Sequence, residues 1–214
     1  MTATVVTAAP RRGRPRSEKA KAAILHAAVD LLLERGLDAV SMDAVAEHAG
    51  VSKATIYRWW PTKEALALDA LYTEWAEPGT ATPDTGSLRS DLLALLRPWA
   101  RLVRSRPYAR VIGTFITKAH SDPGFATEYL TRLVQPRRER AAALFARAAK
   151  RGEIDPNMRV EVALDLLYGA LYHRLLHGHA PLTDRFVADV VDTTLHGVAT
   201  APAPAPARPR RPRT

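Results

Sequence analysis

Cysteine is absent from this 214-residue sequence, which excludes disulfide bonds, thiolate zinc sites and cysteine nucleophiles. A phosphate-binding glycine-rich loop and the nucleophile elbow of hydrolases are absent too, so two large groups of enzymes find no support. No run of 18 apolar residues exists, and the first residues lack the apolar core of a signal peptide. We therefore expect a soluble, cytoplasmic protein with no membrane partner, no metal and no cofactor.

Strand-like alternation of apolar and polar residues is also scarce, whereas apolar residues recur at helical spacing along most of the chain. The pattern predicts an all-α fold of about nine helices, in which Pro136 bends or divides a long helix over 123–151. Segments rich in Pro, Gly and Arg mark the boundaries between domains. They predict a disordered basic arm at 1–16, a small domain at 17–77, a larger helical domain at 88–199, and a disordered Pro/Arg-rich tail at 200–214.

The net charge of +9 is concentrated at the two ends of the chain. Residues 1–20 carry a net charge of +4 and the last eight residues another +4, which leaves +1 for everything between them. The segment 21–77 is acidic, with five Lys or Arg against nine Asp or Glu. Basic ends of this kind favour a polyanion partner such as DNA. The alternative, that the ends only keep the protein in solution, stays open.

The run SMDAVAEHAGVSKATIYRWWPTKEAL, which begins at Ser41, contains three helix starts in close succession. Ser41, Ser52 and Thr62 are each placed as N-caps, because their hydroxyl groups can accept a hydrogen bond from a first-turn amide. Gly50 ends the first of these helices, and Pro61 disfavours helical geometry in the residue before it. Two short helices joined by a tight glycine turn are typical of a helix-turn-helix unit.

The second helix of this unit has two different faces. At 100° per residue, Ile56 and Trp60 lie together and form the buried side. The opposite side carries Ala54, Thr55, Tyr57 and Arg58. Arginine donates to guanine edges, and methyl groups contact thymine, so this face suits the major groove of DNA.

Read as one ordered pattern, ILHAAVDLLLERGLDAVSMDAVAEHAGVSKATIYRWWPTKEAL resembles the tetracycline-repressor (TetR) family of bacterial transcriptional regulators. The resemblance covers about residues 17–75. It implies an N-terminal three-helix helix-turn-helix DNA-binding domain and a C-terminal helical domain for ligand binding and dimerisation. It also implies the function of a repressor that leaves a palindromic operator when a small molecule binds.

The resemblance further implies which side chains contact DNA. Lys53, Ala54 and Thr55 match positions that touch bases, and Tyr57 and Lys63 match positions that bind operator phosphates. The family often has His or Tyr where Trp59 stands, and Lys where Pro61 stands. The full set of expected contacts is Ser41, Lys53, Ala54, Thr55, Tyr57, Arg58, Trp59, Thr62 and Lys63, with Arg11, Arg12, Arg14 and Arg16 of the arm reaching the minor groove.

The segment 158–177 has one narrow polar stripe and is apolar around most of its remaining circumference. A surface helix needs only one apolar face, so this helix can contact both its own core and a second chain. The pattern predicts a homodimer that binds an inverted-repeat operator, although a central helix of a monomer is the alternative. The expected interface residues are Leu167, Leu171, Leu175, Phe186, Val187, Val190, Val191 and Leu195.

Aromatic residues recur along the helices of the C-terminal domain, with a few polar groups between them. Aromatic walls with orienting polar groups are typical of a pocket for a mostly apolar small molecule. Ordinary core packing explains the same spacing, and that alternative stays open. The expected ligand-binding residues are Trp99, Tyr108, Phe115, His120, Phe125, Tyr129, Tyr168, Tyr172 and His173.

A metal-dependent enzyme and an architectural DNA-binding protein are the alternatives to a ligand-responsive regulator. His173 and His177 have the spacing of a two-histidine metal site, but a zincin needs Glu where Arg174 stands, so an enzyme is not expected. An architectural DNA-binding protein that ignores ligands explains the basic ends. It does not explain the large helical domain at 88–199.

Overall fold

The computed structural model describes residues 14–76, 81–105 and 107–197, without the side chains of 14–17 and 76. Every regular element in these ranges is helical, as the sequence predicts. The helices are α1 (Arg14–Arg35), α2 (Met42–Ala49), α3 (Lys53–Tyr57), α4 (Lys63–Ala76), α5 (Leu88–Ser105), α6 (Tyr108–Ser121), α7 (Pro123–Tyr129), a π segment (Leu130–Val134), α8 (Gln135–Lys150), α9 (Val160–His177) and α10 (Asp184–His196). Since α7, the π segment and α8 are continuous, the described chain forms nine separate helical rods.

The N-terminal domain is built from α1 to α4, with α1 packed against both α2 and α4. The apolar stripe of α1 is fully buried at Ile24, Ala28 and Leu32, and it faces the equally buried Leu68 and Leu71 of α4. Burying a side chain of this size contributes about 1.5–3 kcal/mol. This core fixes the base on which the two short helices α2 and α3 rest.

The first helix begins earlier than expected, at Arg14 rather than Ser17. Pro15 is compatible with that start, because the first amides of a helix have no intrahelical acceptor and proline lacks only an amide hydrogen. Arg14 and Arg16 therefore belong to α1, which corrects the expected disordered arm at 1–16. Residues 1–13 and the tail at 200–214 lie outside the described residues.

The long helix over 123–150 changes its hydrogen bonding at the π segment, which lies just before Pro136. The amide of Gln135 donates to the carbonyl of Leu130, five residues back instead of four. Proline cannot donate to the carbonyl four residues earlier, and its ring crowds that carbonyl. The expected bend or division near Pro136 takes the form of a π segment upstream of the proline, and the helix continues through it without a break. Such segments are frequent at functional sites.

The two domains are in contact through several helices. The π segment packs against α4, and α6 packs against α1. In the second of these contacts, the Arg110 guanidinium donates to the carbonyl of Leu33 at 2.8 Å. None of the described helices is long and apolar enough to cross a membrane.

Candidate DNA-binding surface and effector cavity

The turn between α2 and α3 is held by backbone hydrogen bonds. Gly50 adopts a left-handed conformation with φ of 64°, and the Val51 amide donates to the carbonyl of Ala46 at 3.0 Å. The Ser52 hydroxyl then caps α3 by accepting a bond from the Thr55 amide at 3.3 Å. The positive φ explains why glycine stands in this turn, since other residues are strained there by about 1–2 kcal/mol.

The three N-caps expected from the sequence are all present. Besides Ser52, the Ser41 hydroxyl accepts from the Ala44 amide at 3.1 Å, and the Thr62 hydroxyl accepts from the Ala65 amide at 3.1 Å. The Ser41 and Thr62 hydroxyl groups can still donate their own hydrogen to a phosphate. The Ser52 hydroxyl also shares a hydrogen bond with the Thr55 hydroxyl at 2.9 Å.

Two buried side chains attach α3 to the rest of the domain. Ile56 is fully buried, and Trp60, just after the helix, is 1% exposed. The Trp60 indole nitrogen donates to Asp69 Oδ2 at 2.8 Å. The buried side of α3 is therefore the one that the sequence predicted, and the opposite side is turned outward.

The outward side presents Lys53, Ala54, Tyr57 and Arg58, and Thr55 is half-buried beside them. Tyr57 is 53% exposed, so its ring and its phenol hydroxyl are both accessible to a partner. Since α3 is too short to add much to the core, this exposed mixture of methyl groups, phenol and cations is the part of the domain suited to a DNA groove.

Two of the expected DNA contacts have internal partners. Lys53 Nζ pairs with Asp43 Oδ1 at 2.8 Å, and the hydrogen bond to Asp43 raises the pKa of Lys53. Lys63 Nζ donates to the carbonyls of Leu37 and Asp38 at 3.2 and 3.3 Å. The Lys63 ammonium thereby ties α4 to the turn after α1, which leaves one of its three donors for a phosphate.

Trp59 and Arg58 form a pair at the end of α3. The Arg58 guanidinium lies over the Trp59 ring, 4.5 Å from its centroid. This contact makes the half-buried Trp59 a support that directs Arg58, which the sequence did not indicate. In the expected arm, Arg11 and Arg12 lie outside the described residues, as do the side chains of Arg14 and Arg16.

Asp69 of α4 joins the helix-turn-helix unit to the C-terminal domain. One of its oxygens accepts from the Trp60 indole, and both lie near Arg132 Nη1, at 3.1 and 3.2 Å. Arg132 belongs to the π segment and also pairs with Glu128 at 3.2 Å. A single carboxylate thus connects the end of α3 with the π segment.

A cavity of about 240 Å³ lies between the other end of the π segment and α9. Three tyrosines and two arginines contribute to its wall, and the remaining lining is aliphatic. Its lining residues are Ile116, Tyr129, Val134, Arg137, Arg138, Tyr168, Tyr172 and Leu176. Two larger surface hollows, one between α1 and α4 and one beside α5, are each about 410–420 Å³ and are lined by fewer aromatic or buried polar groups.

Three of the nine expected ligand-binding residues line this cavity, namely Tyr129, Tyr168 and Tyr172. Phe115 and Phe125 lie behind Tyr129, with ring centroids 5.6 Å from each other. Both are buried and act as core, because they complete the aromatic packing around Tyr129.

The remaining four expected ligand residues do not line the cavity. Trp99 packs behind Tyr172 at 5.6 Å, and Tyr108 is fully buried with its hydroxyl donating to Glu74 at 2.9 Å. His120 and His173 are exposed. Aromatic spacing along single helices did not reveal which ring faces the cavity, because that depends on how α6, α7 and α9 meet.

Arg137 is one of five lining residues that the sequence did not predict, and it is the one with the most aromatic neighbours. Its guanidinium lies 4.9 Å from the ring centroids of both Trp75 and Trp99, 5.2 Å from Tyr168 and 5.7 Å from Tyr172. It also donates to the Tyr172 hydroxyl. In the sequence it stands in the run PRRER, which reads as an ordinary solvated face.

The expected dimer residues lie mostly inside the protomer. Five of them are buried in its own core: Leu167, Leu171, Val187, Val190 and Val191. Leu175, Phe186 and Leu195 are half-buried. The apolar residues that α9 exposes are instead Val162 at 44%, Leu166 at 57% and Leu176 at 39%.

Three histidines lie close together at the end of α9 and just after it. His173 lies 4.5 Å from His177 and 5.2 Å from His179, measured between ring centroids. Within the described ranges, no group of three His, Cys, Asp or Glu side chains is placed to hold a metal ion.

Two family models match the chain. Residues 24–70 match "Bacterial regulatory proteins, tetR family", and residues 82–194 match "Tetracyclin repressor-like, C-terminal domain". Together they cover both of the domains described above.

Individual relatives agree with these matches. The HTH-type transcriptional regulator YdeS of Bacillus subtilis is 43% identical over 188 residues, which are 88% of this chain and 94% of YdeS. The DNA-binding transcriptional repressor TetR of Mycobacteroides abscessus is 33% identical over 84% of this chain and 94% of its own. A crystal structure of a TetR family transcription regulator superposes with a TM-score of 0.72 and 40% identity, over 85% of this chain and 99% of the other.

Proposed function

Because the chain belongs to the TetR family of helix-turn-helix transcriptional regulators, we propose that it is a homodimeric repressor whose release from an inverted-repeat operator is controlled by a small molecule in the α6–α9 cavity. Regulators of this family bind DNA operators, form dimers and bind small-molecule ligands. B. subtilis FadR, a neighbour with a TM-score of 0.62 and 16% identity, was crystallised with stearoyl-CoA, and its likeness to this chain concerns the fold. The operator and the ligand of this chain are the specific parts of the proposal.

The observation that carries the proposal is the continuous contact between the cavity and α3. Val134 lines the cavity at one end of the π segment, and Arg132 in the same segment holds Asp69. Asp69 in turn accepts from Trp60 at the end of α3. A ligand that alters the π segment therefore acts on a carboxylate that positions the DNA-reading helix.

Ligand and operator must weaken each other's binding equally, since only a difference in affinity between two states can shift their populations. Family architecture requires the two α3 helices of a dimer to match half-sites about 34 Å apart. A small shift of α4 in each subunit changes that separation, because α3 is attached to α4 through Trp60 and Asp69.

Selection of bound sequences from a random double-stranded DNA library tests the DNA-binding part. The expected result is one inverted repeat with half-sites a helical turn apart. A library that shows no sequence preference contradicts the proposal and favours the architectural alternative.

Thermal-shift screening of small molecules, followed by operator-release assays, tests the ligand-binding part. Arg132→Gln is the matched variant, because it leaves the cavity lining intact and removes the contact with Asp69. We expect this variant to bind the same ligands with a smaller release of operator. Ligands that stabilise the wild-type protein without releasing operator contradict the ligand-responsive function.

The dimer is proposed to form through the exposed, mostly apolar face of α9, which carries Val162, Leu166, Gly169, His173 and Leu176 at positions 0, 4, 7, 11 and 14 of a helical stripe. Gly169 lets two helices approach closely, since it adds no side chain at the centre of the stripe. A second copy of the chain is the partner that a two-fold operator requires.

Sedimentation velocity at micromolar concentration tests this interface. Leu166→Glu is expected to convert the dimer into a monomer, because it places a charge in an apolar contact. Leu130→Glu, at a similarly exposed leucine outside α9, is the matched control and is expected to leave the dimer intact. A wild-type monomer, or a Leu166→Glu dimer of unchanged stability, contradicts the assignment.

A further inference from the structure

Arg137 differs from the neighbouring arginines in its charge environment. Arg138, on the same cavity, pairs with Glu161 and with Asp165 at 2.6 Å, and Arg132 has its own carboxylates. Arg137 forms no ion pair with any residue in the described part of the chain, and its polar partner is the neutral Tyr172 hydroxyl. Arg137 is therefore the arginine of this cavity whose guanidinium has no carboxylate partner among the described residues.

The aromatic rings around Arg137 hold the guanidinium in place without removing its charge. Ring faces attract a cation through their quadrupole, and four of them surround this one. Burial alone lowers the pKa of Arg137, but the contacts with Tyr172 and Tyr168 raise it above its ordinary value. The guanidinium is thus positively charged at neutral pH, and Arg137 is half-buried, so water screens its charge only in part.

A second polar group in the same cavity is available to a ligand. Burial raises the pKa of Tyr129 to about 12, so this phenol is neutral and keeps its hydrogen. Its hydroxyl has no hydrogen-bond partner among the described residues, whereas the Tyr168 hydroxyl donates to the backbone carbonyl of Arg137 at 3.3 Å. The cavity therefore offers a cation and a neutral donor, and no free acceptor of similar strength, to an incoming molecule.

We propose that the effector is a small apolar carboxylic acid, bound as its anion, whose carboxylate pairs with Arg137. This assignment rests on the ligand-responsive function proposed above. A carboxylate matches the planar guanidinium in shape and charge, and it supplies the acidic partner that Arg137 lacks among the described residues. A phosphate monoester carries up to two charges and leaves one unpaired. A cationic ligand is repelled.

The apolar part of the acid lies against Ile116, Val134 and Leu176. With about 240 Å³, the cavity is smaller than the roughly 300–1,000 Å³ typical of sites for drug-sized ligands. The ligand is therefore a short acid rather than a long lipid held entirely within the protein.

Matched pairs of an acid and its neutral amide test the charge assignment directly. Isothermal titration of the full chain with octanoate and octanamide, 4-phenylbutanoate and 4-phenylbutanamide, and phenylacetate and phenylacetamide compares the two charge states at nearly constant shape. We expect at least one acid to bind tenfold or more tightly than its amide. If no acid in the panel exceeds its amide, the assignment is wrong.

Variants assign the preference to one residue. Arg137→Gln should abolish the preference for the acid, and Arg138→Gln, at the neutralised arginine of the same cavity, should preserve it. Arg137→Met supplies a second test in case Arg137→Gln does not fold. Methionine fills the space between the four aromatic rings with an apolar side chain and carries no charge. An acid preference that survives in Arg137→Met or Arg137→Gln overturns the proposal.

Operator-binding measurements separate this inference from the proposed function. An acid that binds through Arg137 but leaves operator affinity unchanged supports the anion site and contradicts the ligand-responsive regulator. Release of operator by neutral molecules, with no preference for acids, supports the regulator and overturns the anion site.

Discussion

Replacing Asp69 by alanine tests how firmly the DNA-reading helix is attached to α4. The Trp60 indole N–H, in a side chain that is 1% exposed, loses its acceptor, and a buried donor without a partner costs about 1–3 kcal/mol. The ion pair with Arg132 adds less than about 1 kcal/mol, because both side chains are 34% exposed and Arg132 keeps Glu128 as a partner. The free energy of unfolding should fall by about 1–4 kcal/mol.

For a chain of this size, each kcal/mol shifts the melting temperature by about 2–4 °C, so Asp69→Ala should lower Tm by about 2–16 °C in a calorimetric scan. Operator affinity should fall as well, since Trp60 directly follows α3. Arg132→Gln serves as control, because it removes the ion pair and leaves the indole hydrogen bond intact. If Asp69→Ala melts no lower than Arg132→Gln, the indole bond does not hold α3 and the reasoning fails.

Three further changes test the DNA-binding surface. Arg58→Ala should alter sequence preference, at about 1–3 kcal/mol per lost base contact, whereas Tyr57→Phe should weaken binding to all sequences alike. If Arg58→Ala loses the same affinity for every member of a panel of operator variants, Arg58 does not read bases. Asp43→Asn frees Lys53 and removes an acidic group, so the slope of log affinity against log salt should steepen by about 0.9; an unchanged slope would mean that Lys53 does not reach a phosphate. Gly50→Ala, at φ of 64° with no steric contact, should cost about 1–2 kcal/mol in thermal unfolding from backbone strain alone, and a neutral result would contradict that account of the turn.

The helix-turn-helix unit could be predicted from the sequence because short-range interactions determine it. Each feature depends on residues within four positions of each other: the Ser41, Ser52 and Thr62 caps, the positive φ of Gly50, and the helical spacing that buries Ile56. The all-helical class and the disturbance near Pro136 followed from the same short-range rules. The DNA contacts assigned to the exposed face remain predictions.

Tertiary structure decided everything that depends on how separate helices meet. Because α9 is apolar around most of its circumference, its sequence does not show which side faces the protomer's own core. Leu167 and Leu171 were expected at the dimer interface but are buried inside the protomer, whereas Leu166 is exposed. Arg137 looked like one more solvated arginine, because sequence spacing carries no information about rings from α4, α5 and α9 that surround it. Contacts between residues distant in the chain determine the shape of the cavity and the surroundings of Arg137, and a local sequence pattern cannot predict such contacts.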